Sequence, residues 1–164
     1  MRFPTHLVLY RAFPKIGGVV HTHSLFATAW AQAQRGLPGY GTTQADYWHG
    51  DVPCTRVLKP NEIKKNYGAN TGEVIVETFK KLRLDPIHHP AVLVASHGPF
   101  AWGADVADAV HNAGVLEFVA RLNSETLRYQ SQDEADAAAS AGQTFSSQAR
   151  GKRLLWPEVI RPQT

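Results

Sequence analysis

The stretch Gly17-Gly18-Val19-Val20-His21-Thr22-His23-Ser24 is the part of this 164-residue chain that decides its fold. Its apolar, β-branched beginning, together with Ile16, predicts a short buried strand that ends at the histidines. Because successive side chains on a strand point to opposite faces, His21 and His23 share one face. Two imidazoles on one face can bind a divalent cation, although a polar strand rim gives the same pattern.

A second apolar strand is also followed by a histidine. The run Ala91-Val92-Leu93-Val94-Ala95 leads through Ser96 to His97, and we expect Gly98-Pro99 to form a turn after it. Three histidines at strand ends form a His₃ set that leaves one position on a zinc ion open for water or substrate. A zinc ion held in this way can polarise a carbonyl group and stabilise an enediolate.

Asp46 is the best nearby candidate for an acid or base. It lies in an irregular segment rich in glycine and threonine rather than on a solvated helix face. An aspartate that only orders a turn explains the same pattern equally well. Gly41, Thr42 and Thr43 can offer backbone and hydroxyl donors to an anionic substrate group, but the segment is too short to be a phosphate-binding loop.

Length and composition predict a single globular domain with a real core, since 43% of the residues are apolar. The net charge of +3 comes without a basic helix or an aromatic stacking motif, so we expect no nucleic-acid partner. An anionic small substrate suits that charge. The single cysteine, Cys54, fits a reducing compartment, and neither a bilayer-spanning run nor a signal-peptide pattern is present. We therefore expect a cytoplasmic protein without membrane contact.

Helical and extended segments surround the two histidine strands. Helices are predicted over residues 5–13, after Ser24 as N-cap, from near Thr71 and from about Asp105. Residues 52–57 predict a short edge strand, a position in which proline is tolerated.

The pattern changes beyond Asn123. Residues 131–148 are rich in Ala, Ser, Gln and Asp and resemble a linker, and Leu154-Leu155-Trp156 forms an apolar island further on. We therefore expect a zinc-binding domain over residues 1–123 and a divergent, flexible tail over residues 124–164.

These segments resemble the class II aldolase/adducin family, and most closely its branch of L-ribulose-5-phosphate 4-epimerases. The resemblance covers about residues 4–122, with the segments in the family's order and with matching spacing. The matching segments are Pro4-Thr5-His6 through Tyr10-Arg11-Ala12-Phe13-Pro14, residues 17–24, Gly41-Thr42-Thr43-Gln44-Ala45-Asp46-Tyr47, Pro53-Cys54-Thr55-Arg56, residues 70–72 and 74–79, Ser96-His97-Gly98-Pro99-Phe100-Ala101-Trp102-Gly103 and residues 108–113.

The resemblance implies a three-layer α/β/α fold around a largely antiparallel sheet, here in an incomplete version. It implies one zinc ion per subunit, held by His21, His23 and His97, with Asp46 as an acid/base group. In the family, retro-aldol cleavage of the C3–C4 bond of a pentulose phosphate gives an enediolate and glycolaldehyde phosphate. The aldehyde turns and recombines on its other face, so that L-ribulose 5-phosphate and D-xylulose 5-phosphate interconvert. This chemistry belongs to pentose phosphate and arabinose catabolism, and the family's assembly is a homotetramer with active sites between subunits.

The chain departs from the family pattern at three places. The family has a further N-terminal stretch with an acidic residue at the metal, and Arg2 stands about where that residue is expected. The family also ends in a helix with a catalytic tyrosine, for which Tyr129 is not a credible substitute. Gly68 replaces an acidic residue that is common in epimerases. We therefore expect a chain that keeps the metal-binding residues but lacks part of the catalytic apparatus.

Three functions follow from this sequence. The first is an epimerase, and the second is a catalytically impaired, truncated relative that acts as a metal-binding or interaction subunit. The third is a sugar-phosphate aldolase with the same zinc chemistry. Residues 41–46 and Pro53-Cys54-Thr55-Arg56 favour the epimerase branch over the aldolases.

Overall fold

An antiparallel sheet of three strands, with helices on both faces, organises the chain in the computed structural model. The structure describes residues 3–141, so the predicted island at residues 154–156 and the end of the predicted linker lie outside the described residues. In chain order the elements are α1 (Phe3–Ala12), β1 (Gly18–His21), α2 (Leu25–Gln32), α3 (Thr42–Ala45), α4 (Pro60–Lys64), α5 (Tyr67–Leu82), β2 (Ala91–Val94), β3 (Gly98–Gly103) and α6 (Val106–Ala141).

Strand β3 lies in the middle of the sheet, in the order β1-β3-β2, and both pairings are antiparallel. Side chains alternate between the two faces as the strand geometry requires. Phe100 and Trp102 contribute to one core cluster, whereas Ala101 belongs to the other. The register places His21 opposite Phe100, which brings that histidine to the end of the core cluster that contains Phe100 and Trp102.

Helices α1 and α5 cover one face of the sheet. Phe13 and Phe79 pack against each other and against Trp102, with ring centroids 5.2–5.4 Å apart. Gly72 of α5 lies so close to Val8 of α1 that an added Cβ would come within 2.6 Å of it. The two helices therefore form one tightly packed layer, and α5 begins next to the end of the sheet that carries the histidines.

Helices α2 and α6 cover the opposite face. Trp30 of α2 donates from its indole nitrogen to the backbone oxygen of Ala120, at 3.1 Å, and to Ser124 Oγ, at 2.9 Å. Leu116, Val119 and Ala120 of α6 are buried against the sheet. The predicted three-layer α/β/α arrangement with an antiparallel sheet is confirmed.

Two predicted local structures differ from the observed ones. Residues 52–57 form no regular strand, only single bridges between Leu37 and Val52 and between Cys54 and Leu93. Pro53 lacks the N–H that a continuous ladder needs at this position. The predicted turn at Gly98-Pro99 is wrong as well, because the strand β3 starts there and the turn lies over residues 95–97.

Helix α6 continues to Ala141, well past Asn123, where the sequence pattern decays. Asn123 is buried, and its side-chain amide donates to the backbone oxygen of Pro38 at 2.8 Å. Beyond it, alanine, glutamate, glutamine and arginine favour a helix without any need for burial, so the linker prediction is wrong for residues 131–141. No helix within residues 3–141 is both long enough and apolar enough to cross a membrane.

Candidate metal centre

The side chains of His21, His23 and His97 meet at one end of the sheet. One ring nitrogen from each residue lies within 4.8 Å of the corresponding nitrogen of the other two. His23 is exposed, and the other two are half-buried, so solvent reaches the group. We call these three residues the histidine cluster. It is able to hold a metal ion, and no Asp or Glu oxygen within the described part of the chain joins it.

His21 is fixed by the sheet itself. It is the last residue of β1, and its ring stacks on Phe100 of β3 with a centroid distance of 4.2 Å. Its Nδ1 lies 2.8 Å from the backbone oxygen of Pro99. Because a carbonyl oxygen only accepts, Nδ1 carries the proton, and Nε2 presents its lone pair to the histidine cluster.

His97 lies in the three-residue turn of the β2–β3 hairpin. Ser96, just before it, adopts the left-handed conformation with φ 59°, and its N–H donates to the backbone oxygen of Ala31. The Nδ1 of His97 is 3.1 Å from the hydroxyl oxygen of Tyr67, the first residue of α5. The turn and a neighbouring helix thus both position this imidazole.

His23 lies between β1 and α2, in the irregular segment 22–24. Its Nε2 is 3.0 Å from Nε2 of His21. Ser24 holds the N-cap position of α2 as predicted, but its hydroxyl makes no capping bond. The carboxylate of Glu117 on α6 accepts from the N–H groups of Phe26 and Ala27 instead, at 2.8 and 2.9 Å. Helix α6 therefore anchors the segment that carries His23.

The chemistry of the histidine cluster suits a transition-metal ion. Neutral imidazole nitrogen is a preferred ligand of zinc and of other late first-row metals. Two of the three rings already have an oxygen partner on Nδ1, the usual arrangement around a metal-binding histidine. The short separation of 3.0 Å between Nε2 of His21 and Nε2 of His23 brings two potential ligand atoms to one point. Three protein ligands leave an open position for another ligand.

The other predicted site residues lie on helix α3 and directly after it, and Asp46 does not join the histidine cluster. Thr42 and Thr43 occupy the exposed first turn of α3, and Asp46 follows its last residue, also exposed. The helix is held by Gln44, whose side-chain amide donates to the backbone oxygen of Gly50 at 2.8 Å. Asp46 is therefore presented outward and does not meet the three histidines within one chain.

Three residues around the histidine cluster were not predicted from the sequence. They are Tyr67, Phe100 and His6. His6 is half-buried, and its ring lies 6.3 Å from that of Phe100. A prediction of a strand through residue 100 would have indicated the Phe100 contact, because side chains alternate between the two faces of a strand. Cys54 takes no part, and burial raises the pKa of its thiol to about 11, which keeps it protonated at neutral pH.

Most of the sequence matches a known protein family. The family description "Class II Aldolase and Adducin N-terminal domain" fits residues 1–124, which is more than half of the chain. The chain belongs to the class II aldolase and adducin family. Members of this family with similar sequences include L-ribulose-5-phosphate 4-epimerase UlaF of Salmonella paratyphi B and of Salmonella typhi. Each is 57% identical over 118 residues, which is 72% of this chain and 51% of the relative.

Solved structures of class II aldolases share the fold. An L-fuculose 1-phosphate aldolase superposes with a TM-score of 0.61 at 21% identity, over 78% of this chain and 54% of the other. YgbL of Escherichia coli, described as a putative aldolase/epimerase/decarboxylase, gives a TM-score of 0.51 at 30% identity, over 73% and 54%. The chain spans about half the length of the relatives that it matches.

Proposed function

We propose that this chain is a zinc-dependent epimerase that interconverts L-ribulose 5-phosphate and D-xylulose 5-phosphate by retro-aldol and aldol steps. The meeting of three imidazole nitrogens within 4.8 Å is the observation that carries the proposal. The 57% identity to UlaF proteins supports the choice of an epimerase and of a phosphorylated pentulose.

The three histidines would hold the ion, with the outer nitrogens of His21 and His97 bonded to Pro99 and Tyr67. A zinc ion, when bound, supplies Lewis-acid polarisation of a carbonyl group. The ring of Phe100 lies beneath His21 and keeps water away from that side of the histidine cluster, since this phenylalanine is buried.

Helix α3 would supply the remaining groups. We propose that Asp46 moves the proton of the substrate hydroxyl and that Thr42 and Thr43 donate to an anionic group of the substrate. Because these residues are exposed and Asp46 does not join the histidine cluster, we propose a homo-oligomer in which α3 of one copy completes the site of another. We also propose that residues 1–123 are the functional domain and that the protein acts in the cytoplasm.

The test uses the chain as it is. The protein, dialysed against zinc and freed of excess metal, is incubated with L-ribulose 5-phosphate, and D-xylulose 5-phosphate is measured over time. Zinc near one per chain together with formation of the product would support the proposal. Release of glycolaldehyde phosphate without the epimer would favour a sugar-phosphate aldolase instead.

A second candidate is a metal-binding subunit without turnover of its own. The separation of Asp46 from the histidine cluster within one chain favours it. Stoichiometric zinc without any conversion, at protein concentrations at which the chain self-associates, would establish this candidate and overturn the epimerase.

A further inference from the structure

We propose that Tyr67 is a positioning residue of the metal centre, whose hydroxyl selects the ring nitrogen that His97 presents to the ion. This inference rests on the proposed metal-binding role of the histidine cluster. The hydroxyl oxygen of Tyr67 lies 3.1 Å from Nδ1 of His97, and the two ring centroids are 5.8 Å apart.

A comparison of His97 with His21 explains what this contact does. The backbone oxygen of Pro99 holds Nδ1 of His21 as a donor and leaves its Nε2 for the ion. The Tyr67 oxygen occupies the same place on His97. When Nδ1–H of His97 donates to it, the Nε2 lone pair of that ring becomes the metal ligand. Such outer partners orient the ring and raise the basicity of the ligating nitrogen.

The structure holds Tyr67 in place from both sides. Asn66, just before it, adopts the left-handed conformation with φ 55° and ψ 38°, which directs the chain into α5. The side-chain amide of Asn70 donates to the backbone oxygen of Lys65 at 2.6 Å. On the helical side, Thr5 Oγ1 of α1 donates to the backbone oxygen of residue 68 at 2.6 Å. The first turn of α5 is therefore fixed before any metal binds, a form of preorganisation.

The hydroxyl of Tyr67 has little part in the stability of the fold. The side chain is 43% exposed and belongs to neither core cluster. Removal of the hydroxyl alone should therefore change the metal site without changing the packing of the protein. Tyr129, which is 59% exposed on α6, offers a matched control for the same chemical change.

The experiment compares Tyr67→Phe and Tyr129→Phe with the unmodified chain. Zinc affinity is measured by competition with a chromophoric chelator, and the environment of the ion is followed by the visible spectrum of the cobalt(II) form. We expect Tyr67→Phe to bind zinc about 10- to 100-fold more weakly and to change the cobalt spectrum. The melting temperature of its metal-free form should stay unchanged, and Tyr129→Phe should match the unmodified chain throughout.

Equal zinc affinity of Tyr67→Phe and the unmodified chain would overturn this inference and leave the proposed metal site intact. A weaker affinity that came with a matching drop in the melting temperature of the metal-free protein would also overturn it, because general destabilisation would then explain the loss. The failure of the proposed function looks different. In that case His21→Ala would bind zinc as well as the unmodified chain does.

Discussion

The histidine cluster and helix α3 belong to one chain, but the fold holds them in different ways. His21 and His97 lie at the ends of paired strands, and both have oxygen partners on their outer ring nitrogens. Thr42, Thr43 and Asp46 lie on and just after a single exposed helical turn whose buried anchor is Gln44. The metal-binding half of the proposed site is therefore assembled within one chain. The proposed acid/base half is exposed on the surface of that chain.

The largest expected effect is on metal binding. Replacement of His21, His23 or His97 by alanine removes one of the three proposed ligands. Each variant should therefore lose zinc affinity by more than about 100-fold, a larger effect than the loss of an outer partner. Metal content after dialysis, measured by atomic absorption, is the readout. His49→Ala is the matched control, because this exposed histidine stacks on His88 and lies outside the histidine cluster. Unchanged zinc content in all three variants would refute the metal centre.

The second prediction separates the two halves. Asp46→Asn should lower the epimerase rate by about 10²- to 10⁴-fold, the usual contribution of an acid/base group, because the amide cannot take up the proton. Zinc content should stay at the level of the unmodified chain, since Asp46 does not join the histidine cluster. Asp51→Asn serves as the control, because asparagine keeps the Oδ1 that accepts from the N–H of Gly39. Full turnover in Asp46→Asn would remove this residue from the mechanism.

The third prediction concerns the link between α6 and the segment that carries His23. Glu117→Ala leaves the N–H groups of Phe26 and Ala27 without their carboxylate partner, so the free energy of unfolding should fall by about 1.5–3 kcal/mol. Urea unfolding of the metal-free protein measures this loss. Glu117→Gln keeps one acceptor oxygen and should lose less. Equal stability of Glu117→Ala and the unmodified chain would show that water replaces this cap without cost.

The smallest effect is expected at the surface ion network of Arg56, Glu62 and Glu77. Arg56 donates to both carboxylate oxygens of Glu62, at 2.8 and 2.9 Å, and to both of Glu77, at 2.8–3.1 Å. Its hydrogen bonds lower the pKa of Glu62 to about 2 and also lower the pKa of Glu77. Groups with a lowered pKa stabilise the fold above their unfolded pKa, and this stabilisation disappears as the pH falls from about 4.3 towards 2.

Melting temperatures between about pH 5 and pH 2 test this point. The unmodified chain should lose slightly more stability over that range than Arg56→Met, in which the network is absent. The difference should be small because all three side chains keep contact with solvent. Arg128→Met, which breaks the exposed pair with Glu125, provides the control. Parallel pH curves for the unmodified chain and Arg56→Met would contradict the prediction.

Much of the fold followed from local patterns. The apolar run at 91–95 and the residues before His21 predicted β2 and β1, because buried strands are β-branched and apolar. Strand β3 was missed, since its glycines and Pro99 are typical of a turn and only pairing on both sides makes it a strand.

The sequence predicted those residues of the candidate site whose residue type is typical of metal ligands. Three histidines beside strand ends indicated a shared centre, and the structure brings them together. Tyr67 could not be predicted in this way, because nothing in its local sequence indicates that the start of α5 lies beside the hairpin turn. The capping of α2 by Glu117 could not be predicted from local sequence either, since Glu117 is about 90 residues away from Phe26 and Ala27.

The geometry of the histidine cluster also depends on Gly17 and Gly18, which are not part of it. A Cβ at residue 17 would collide with the backbone oxygen of Ala104, and one at residue 18 with that of Asp105. Any larger residue there must push β1 out of its alignment with β3, and a slip by one residue turns His21 to the opposite face. A random-mutagenesis screen for chains that no longer colour with cobalt should therefore recover these two glycines alongside the ligands themselves.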